Sequence, residues 1–376
     1  MPLQDVSEVP KPKRDPYVHK YDLVVVGAGP AGLSAALSAS RDIGFSTLVI
    51  ERNVPGGSAA TSINRIENYL GFPDGLAGRS LAKLALRQMQ GLDVDFFLTA
   101  KAQSISPEGE GRYAVGVKHG STEESVSAGM VLIACGQRPY RLKLIDDHYP
   151  TQGVYYSALP CDQRREKDKD IIIVGGGNSA GQAALLFARG HAKSVSIVAA
   201  YGLVDMAESL QRELSKEKER ITIYPAHRVL RFEGGEQLTS VTVQECNAST
   251  QQPFPVEASS VYILIGGTPD TDWLRKSEVT VRLNRKGFIK TDQHLPKKGA
   301  SAFETSQPGI FAAGDVRVNS LRRVAQAVGQ GAAAVASMAR YAANNLDILD
   351  PQSTAYELLR IARLTYAEED EADFTE

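Results

Sequence analysis

A glycine-rich run, Gly27-Ala28-Gly29-Pro30-Ala31-Gly32, follows a short apolar segment and precedes a stretch rich in alanine and leucine. Glycines in this G-x-G-x-x-G spacing have separate tasks. Gly27 allows a tight turn, Gly29 lets a pyrophosphate approach the backbone, and Gly32 lets a helix pack closely on a strand. The helix N-terminus at Pro30 and Ala31 would receive the phosphate charge. The spacing therefore predicts a dinucleotide site.

A carboxylate stands where such a site needs one. Glu51 ends the next β-branched run, 24 residues after Gly27. That position suits an acceptor for ribose hydroxyl groups. A tight turn without a ligand is the alternative explanation for the glycines. The combination of strand, glycines, helix, second strand and terminal acid favours the dinucleotide.

A second glycine-rich run with a G-x-G-x-x-A pattern predicts another pyrophosphate cradle, formed by Gly175, Gly177, Asn178, Ser179 and Ala180. The residue 24 positions after Gly175 is Ala199, and its neighbours carry no charge. The nearest later cations are Arg228 and Arg231, whose alternative role is solvated surface charge. The second site thus lacks both an acid for the ribose and an arginine for a 2′-phosphate at this position.

The cysteines of the chain are few and far apart, at Cys135, Cys161 and Cys246. They form neither a disulfide framework nor a Cys-x-x-Cys pair, so a reducing cytoplasm is the expected location. The six histidines show no metal-ligand spacing. No metal site is predicted.

Alternating strands and helices position these residues. Residues 23–26 and 171–174 are short β-branched runs of the kind buried in parallel sheets. Each is followed by glycines, a helical segment and another β-branched run, which predicts two βαβ units. We expect an α/β fold with two Rossmann-like, three-layer dinucleotide-binding domains, the second inserted into the first.

Breaks in the apolar pattern set the predicted domain boundaries. Gly136 with Pro139, and later Gly266 with Pro269, mark two crossovers between the domains. The prediction is a flexible arm over 1–19, a first dinucleotide-binding domain over 20–138 and 269–345, a second over 139–268, and a C-terminal helix with an acidic tail over 346–376.

Composition excludes some partners. The chain has 376 residues and a formal net charge of -2, so no global basic field attracts nucleic acid or anionic lipid. No apolar run reaches the roughly 18 residues of a membrane-spanning helix. We expect no nucleic-acid partner and no membrane partner.

Further segments resemble the thioredoxin reductase-like family, which has the class II pyridine nucleotide-disulfide oxidoreductase fold. They are Glu51-Arg52 with Gly57 and Ser58, the segment around Asn68, Ala134-Cys135-Gly136, Gly314-Asp315, and Arg322-Arg323-Val324. The resemblance covers roughly residues 20–345 and implies FAD in the first site. It implies that Asp315 receives ribitol hydroxyls and that the helix after Arg323 faces the flavin. Ser58 and Arg323 stand where the family has glutamines, which changes the expected flavin contacts.

The chain departs from that family at the redox dithiol. The segment from Gly153 to Asp162 resembles the one that carries Cys-x-x-Cys, but Cys161 is its only thiol. Exchange with a thioredoxin disulfide needs one thiolate to attack and a second to resolve the mixed disulfide. Cys161 cannot complete that cycle alone, and it stays the single candidate for a catalytic side chain. Cys135 is interpreted as a small packed residue.

These features predict an FAD-dependent oxidoreductase of thioredoxin reductase-like architecture that passes electrons through FAD to an unidentified acceptor. The missing dithiol and the missing basic run resemble ferredoxin-dependent or diflavin-linked relatives. The candidate second ligands are NADH, NADPH and a second FAD. Alternatives are a ferredoxin–NAD(P) reductase-type enzyme and a non-catalytic flavin- or nucleotide-binding module.

The resemblance also implies partners. We expect a small molecule or an electron-transfer protein such as ferredoxin, and a second copy in a homodimer. Ferredoxin reductases of this type stack a C-terminal aromatic ring on the flavin, for which Tyr356 and Tyr366 are candidates. A surface helix with one buried tyrosine is the alternative for this tail.

Overall fold

The computed structural model describes residues 13–61, 65–66, 68–146, 148–204, 206–247, 252–291 and 302–372, with side chains up to Arg363. This described chain divides into two units. Unit 1 runs up to Ala60, from Ile66 to Gln137 and from Thr268 onward, and unit 2 comprises chiefly Arg138–Gly267. Unit 2 is inserted into the sequence of unit 1. The predicted α/β class with two Rossmann-like domains is confirmed.

The strands, in chain order, are β1 (Tyr21–Val26), β2 (Thr47–Glu51), β3 (Val94–Leu98), β4 (Ala100–Gly109), β5 (Arg112–His119), β6 (Thr122–Ile133), β7 (Gln137–Pro139), β8 (Val154–Tyr155), β9 (Asp170–Val174), β10 (Ser194–Ala199), β11 (Ile221–Pro225), β12 (His227–Gly234), β13 (Leu238–Glu245), β14 (Phe254–Glu257), β15 (Ser260–Ile263), β16 (Gly267–Pro269) and β17 (Ile310–Ala312).

The helices are α1 (Pro30–Ser38), α2 (Gly57–Ala60), α3 (Gly78–Gln88), α4 (Asp162–Arg165), α5 (Asn178–Arg189), α6 (Glu208–Lys216), α7 (Val324–Asn344) and α8 (Thr354–Ala372). A π-helical turn, Ala39–Ile43, continues α1, and a 3-10 turn, Gly314–Val316, lies between β17 and α7.

Unit 1 is built on a seven-stranded sheet in the order β3-β2-β1-β6-β5-β4, with β17 also paired to β6. The β1 strand runs parallel to β2 and β6. Its side chains alternate between two apolar clusters. Leu23 and Val25 pack on the side of α1 and α7, whereas Val24 and Val26 pack on the other face. Burial on both faces explains why the strand is a continuous apolar run rather than an alternating one.

Unit 2 repeats this design with a parallel five-stranded sheet in the order β11-β10-β9-β15-β8. Ile171 and Ile173 of β9 face the cluster that contains α5, while Ile172 and Val174 face the other side. That second face is covered by the antiparallel strands β12, β13 and β14, including Phe232. The carboxyl end of β9 leads directly into the second glycine run.

The described part of the predicted flexible arm is held to the sheet of unit 1. The Lys13 backbone N–H donates to Asp95 Oδ1 over 2.8 Å, and the Arg14 guanidinium lies 2.6 Å from an Asp93 oxygen. The Tyr17 ring meets Phe97 edge-on at 5.6 Å between centroids. Asp95 is fully buried in β3 and needs donors, which the arm supplies. Residues 13–19 are therefore ordered by contacts that composition does not indicate.

The segment after α7 also packs into unit 1. The Arg112 guanidinium donates to the Ile348 carbonyl oxygen, and the Asp350 N–H donates to Asp22 Oδ1 over 2.7 Å. Tyr356 packs against the cluster around α1 and α7. Tyr366 lies outside the residues whose side chains are described.

Candidate cofactor and nucleotide sites

The first glycine run turns between β1 and α1, and its three glycines meet different surroundings. Gly27 has φ +108°, and a Cβ there would lie 2.7 Å from the Ala134 carbonyl oxygen. A Cβ on Gly32 would lie 1.9 Å from the Gly27 carbonyl oxygen. A Cβ on Gly29 would meet nothing nearer than the Gly57 Cα at 4.0 Å. The protein itself therefore requires glycine at 27 and 32, whereas Gly29 leaves space that fits a pyrophosphate.

Glu51 supports this loop directly. Its Oε2 accepts a hydrogen bond from the Ala28 N–H and its Oε1 accepts one from the Asn53 N–H, both over 2.8 Å. The side chain is buried, with 9% of the residue exposed. An ionised carboxylate can accept about four hydrogen bonds in total. Glu51 can thus hold the loop and still accept a ribose hydroxyl.

The Gly314–Val316 turn reaches the same loop from far along the chain. Gly314 has φ +77°, and a Cβ there would lie 2.9 Å from the Ala31 Cβ. The Asp315 Oδ1 accepts a 2.8 Å hydrogen bond from the Ser320 hydroxyl. Among the described residues none donates to Asp315 Oδ2. The structure brings Asp315 and the first glycine run together with one carboxylate oxygen free, which fits a polyhydroxylated ligand.

Helix α7 completes this arrangement. Arg323 is its N-cap and Val324 its first residue. The Gln330 side chain accepts the Gly314 N–H over 2.8 Å, and Gln326 accepts the Leu321 N–H over 2.7 Å. Neither glutamine was among the predicted site residues. Their spacing of four residues on one helix face, in the first turns after Arg323, was the available signal.

The other residues predicted to contact the cofactor lie nearby or at the surface of unit 1. Gly57 has φ +53°, and its Cβ would come within 3.0 Å of the Gly29 Cα. Ser58 follows it in α2. Arg52 forms an ion pair of 2.5 Å with Asp270, and the Gly136 carbonyl accepts the Asp270 N–H over 3.1 Å. Asn68 is exposed in a turn. Asp270 was not predicted, since only the fold places it beside Arg52.

The second glycine run in unit 2 has the same division of tasks. Gly175 has φ +143°, and its Cβ would lie 2.5 Å from the Leu264 carbonyl oxygen. A Cβ on Gly177 would meet no atom within 4 Å. Asn178, the first residue of α5, accepts the Ala207 N–H over 2.8 Å through its side chain. Ser179 is exposed and Ala180 is buried against the core. This loop also leaves space for a pyrophosphate.

At the end of β10, none of the described residues from Ala199 to Val204 carries a charge that could contact a ribose. Ala199 is fully buried. Arg228 donates to Gln244, and Arg231 pairs with Glu233 at 3.2 Å, so both cations are engaged within their own sheet. Tyr201 is 89% exposed. Asp205 lies outside the described residues.

All three cysteines are free thiols. Cys161 is exposed and caps the four-residue helix α4, without a side-chain capping bond. Cys246 is exposed as well. The Cys135 thiol, in unit 1, donates to the Asp270 carbonyl oxygen over 3.1 Å. Burial, with a contribution from the Asp270 charge, raises the pKa of Cys135 to about 12. Cys135 is therefore a structural thiol.

Within the described ranges, no group of three or more His, Cys, Asp and Glu side chains could hold a metal ion. None of the helices in that part of the chain is long and apolar enough to span a bilayer.

Known proteins are similar to this chain in both sequence and fold. The family model described as pyridine nucleotide-disulphide oxidoreductase matches residues 21–331. Thioredoxin reductase of Bacillus subtilis is 31% identical over 323 residues, which cover 85% of this chain and 94% of the relative. A 34.2 kDa protein in the rubredoxin operon of Clostridium pasteurianum is 29% identical, over 85% of this chain and 96% of the relative.

A solved structure agrees with these matches. The crystal structure of T. acidophilum thioredoxin reductase superposes with a TM-score of 0.73 and 29% identity, over 86% of this chain and 99% of that one. The chain belongs to the pyridine nucleotide-disulphide oxidoreductase family, and it is a flavoprotein oxidoreductase with thioredoxin reductase-like architecture.

Proposed function

We propose that this chain is an FAD-dependent oxidoreductase that transfers electrons without a redox dithiol. The observation that carries the proposal is the solitary Cys161. The residues before it are Ser157, Ala158, Leu159 and Pro160, so no second thiol lies within its turn. Thioredoxin-type exchange needs a resolving thiol to release the mixed disulfide. The acceptor must therefore take electrons from the cofactor by another route.

Neither remaining cysteine supplies that second thiol. Cys135 belongs to unit 1, where it donates to a carbonyl and its raised pKa disfavours the thiolate. Cys246 follows β13, far from Cys161 in the sequence of unit 2. The contacts of Cys135 support a structural role, and Cys246 forms no Cys-x-x-Cys pair with Cys161.

FAD, when bound, would supply the two-electron chemistry, and the protein's part is to hold and orient it. The open face of Gly29 and the N-terminus of α1 would receive the pyrophosphate. Glu51 would accept a ribose hydroxyl, and the free oxygen of Asp315 would accept from the ribitol chain. The N-terminus of α7 at Arg323 and Val324 would present its N–H groups to the flavin. Arg52, Gly57, Ser58, Asn68 and Gly136 complete the proposed site.

The second site would bind an adenine dinucleotide without discriminating between a 2′-hydroxyl and a 2′-phosphate on its adenosine ribose. Gly175, Gly177, Asn178, Ser179 and Ala180 would cradle the pyrophosphate at the start of α5. Arg228 and Arg231 are engaged elsewhere. Without a guanidinium for a 2′-phosphate, NADPH should have no advantage over NADH. A second FAD is the third candidate ligand.

The test combines cofactor analysis with anaerobic absorbance titration. The purified protein should be yellow, and acid release should count one FAD per chain, or two if unit 2 also holds FAD. Reduction of a thioredoxin disulfide should be absent in the parent and in Cys161→Ser alike, with Cys246→Ser as the control for an exposed thiol. Thioredoxin reduction by the parent that disappears only in Cys161→Ser would contradict the proposal.

A further inference from the structure

A basic cavity of about 510 Å³ lies in unit 1, between the loop after β16 and the turn that precedes α7. Four of its lining residues are cations, Arg285, Lys286, Arg317 and Arg322, and none of its lining residues is a carboxylate. The whole chain has a formal net charge of -2. A cluster of four cations on one cavity is therefore a local feature rather than a consequence of composition.

Most of this positive charge is not neutralised. Arg285, Lys286 and Arg322 are exposed, and in the described part of the chain none of them pairs with a carboxylate. Cations held together without counterions repel one another, so the arrangement costs stability unless a negative partner binds. The chain offers many positions where such charges could lie apart.

The loops hold these cations in place. Asn284 accepts the backbone N–H groups of Lys286 and Phe288 over 2.9 and 3.0 Å, which fixes the turn that carries Arg285. The Arg317 guanidinium donates to the Thr291 hydroxyl over 2.7 and 3.0 Å and lies 4.5 Å from the Phe303 ring centroid. The backbone turn and the Arg317 side chain are thus fixed before a partner binds, which reduces the conformational entropy that binding costs.

One residue connects the basic cavity to the proposed FAD site. Ser320 lines the cavity, its hydroxyl donates to Asp315 Oδ1 over 2.8 Å, and it accepts the Arg322 N–H over 3.2 Å. One wall of the cavity, from Arg317 to Arg322, thus follows directly on the turn whose Asp315 would hold the ribitol chain. A protein seated on the cavity would come close to the cofactor.

The exposure of these cations favours a protein surface over a small molecule. Small-ligand pockets are mostly apolar and enclose most of their ligand. Here Arg285, Lys286 and Arg322 project toward solvent, and Leu321 beside them is 71% exposed. Small, charged contact areas are typical of transient electron-transfer encounters.

We propose that the basic cavity is the docking surface for an acidic electron-transfer protein. This inference rests on the proposed function, because it assigns the partner of the same FAD site. Each encounter would oxidise the partner by one electron. Two encounters, with protons from solvent, would deliver the two electrons needed to reduce FAD fully.

The binding test uses a plant-type [2Fe–2S] ferredoxin with an acidic surface as probe and isothermal titration calorimetry as the measurement. We compare the FAD-loaded parent with Arg285→Glu/Lys286→Glu/Arg322→Glu. The control is Arg41→Glu/Arg87→Glu/Lys101→Glu, three exposed cations of unit 1 that lie outside the cavity. The cavity variant should weaken binding roughly 10-fold or more, and the control should bind as the parent does. Raising salt from about 20 to about 300 mM should weaken the parent strongly and the cavity variant little.

A second readout is the anaerobic rate at which reduced ferredoxin bleaches the flavin band, which should fall with the same variant. Equal ferredoxin binding by parent and cavity variant would overturn the proposal. The proposal would also be overturned if the parent bound inorganic pyrophosphate stoichiometrically and the cavity variant lost that binding but kept ferredoxin binding. The cavity would then be a site for a small anion. FAD content and bleaching by dithionite are measured in parallel. A parent protein that holds no FAD would count against the proposed function. If the parent and the cavity variant both hold FAD and bind ferredoxin equally, the result would count against the docking surface alone.

Discussion

Glu51 Oε2 accepts a 2.8 Å hydrogen bond from the backbone N–H of Ala28, so the acid that ends β2 holds the glycine loop that follows β1. The two strands lie side by side in parallel register, with Val26 opposite Ile50. The carboxyl ends of adjacent parallel strands meet at one edge of a sheet, which is where open α/β sheets bind ligands. This contact joins the fold of unit 1 to its proposed cofactor site.

Replacing Glu51 tests that link. Glu51→Ala leaves the Ala28 and Asn53 N–H groups without their acceptor, and each loss to a charged partner costs about 1.5–3 kcal/mol. The affinity for FAD should fall roughly 10- to 100-fold, measured by titrating apoprotein with FAD fluorescence. Glu51→Gln keeps one acceptor oxygen, so its FAD affinity should lie between those of the parent and Glu51→Ala. Unchanged FAD affinity in Glu51→Ala would argue against a role for this acid.

The glycines provide a matched comparison. Gly29→Ala and Gly177→Ala add a methyl group into space that the protein leaves open, so both variants should fold as stably as the parent. The first should lose FAD and the second should lose any nucleotide bound to unit 2, since each methyl group would occupy the proposed pyrophosphate position. Thermal unfolding and ligand titration measure the two effects separately.

The control for these variants is Gly32→Ala. Its Cβ would lie 1.9 Å from the Gly27 carbonyl oxygen, so this variant should be strongly destabilised even without ligand. If Gly29→Ala instead unfolds like Gly32→Ala, the space beside Gly29 is structural and the pyrophosphate assignment fails.

The buried Asp22 predicts a pH dependence of stability. Burial raises the pKa of Asp22, although hydrogen bonds from the Ser46 and Asp350 N–H groups oppose the shift. The folded state therefore binds the proton more tightly than the unfolded state. The contribution of Asp22 to stability is present below the unfolded pKa, near 3.8, and is lost as pH rises through the higher folded pKa.

Asp22→Asn should remove this pH-dependent contribution to the free energy of unfolding. Denaturant unfolding of parent and variant across that pH range should show a difference in slope, with the parent losing stability relative to the variant as pH rises. The absolute stability of Asp22→Asn should be lower, because the amide cannot accept from both N–H groups. Parallel pH profiles would mean that Asp22 does not titrate in this window.

Thiol labelling tests the roles assigned to the cysteines. Cys161 and Cys246 are exposed, whereas the Cys135 thiol donates to Asp270 and has a raised pKa. A disulfide reagent such as DTNB should therefore label two thiols quickly in the native protein and the third only after unfolding. Cys135→Ser should leave the fast phase unchanged. Fast labelling of all three thiols would contradict the structural role assigned to Cys135.

Much of the first dinucleotide site could be predicted from the sequence. The positive φ of Gly27, the start of α1 at Pro30 and the end of β2 at Glu51 all follow from local patterns, because glycine freedom and apolar runs act over a few residues. Spacing could not show that Gln330 holds the Gly314 N–H or that Asp270 pairs with Arg52.

The amino-acid sequence by itself determined the α/β class, the two glycine loops and the absence of a dithiol, because each depends on residue type and short-range order along the chain. Only the tertiary structure decided that Gly314 packs on Ala31, that residues 13–19 dock on β3, and that two distant loops place four cations around one cavity. Those contacts join residues far apart in sequence. Chain topology and close packing set them, and no local pattern encodes the distance between such residues.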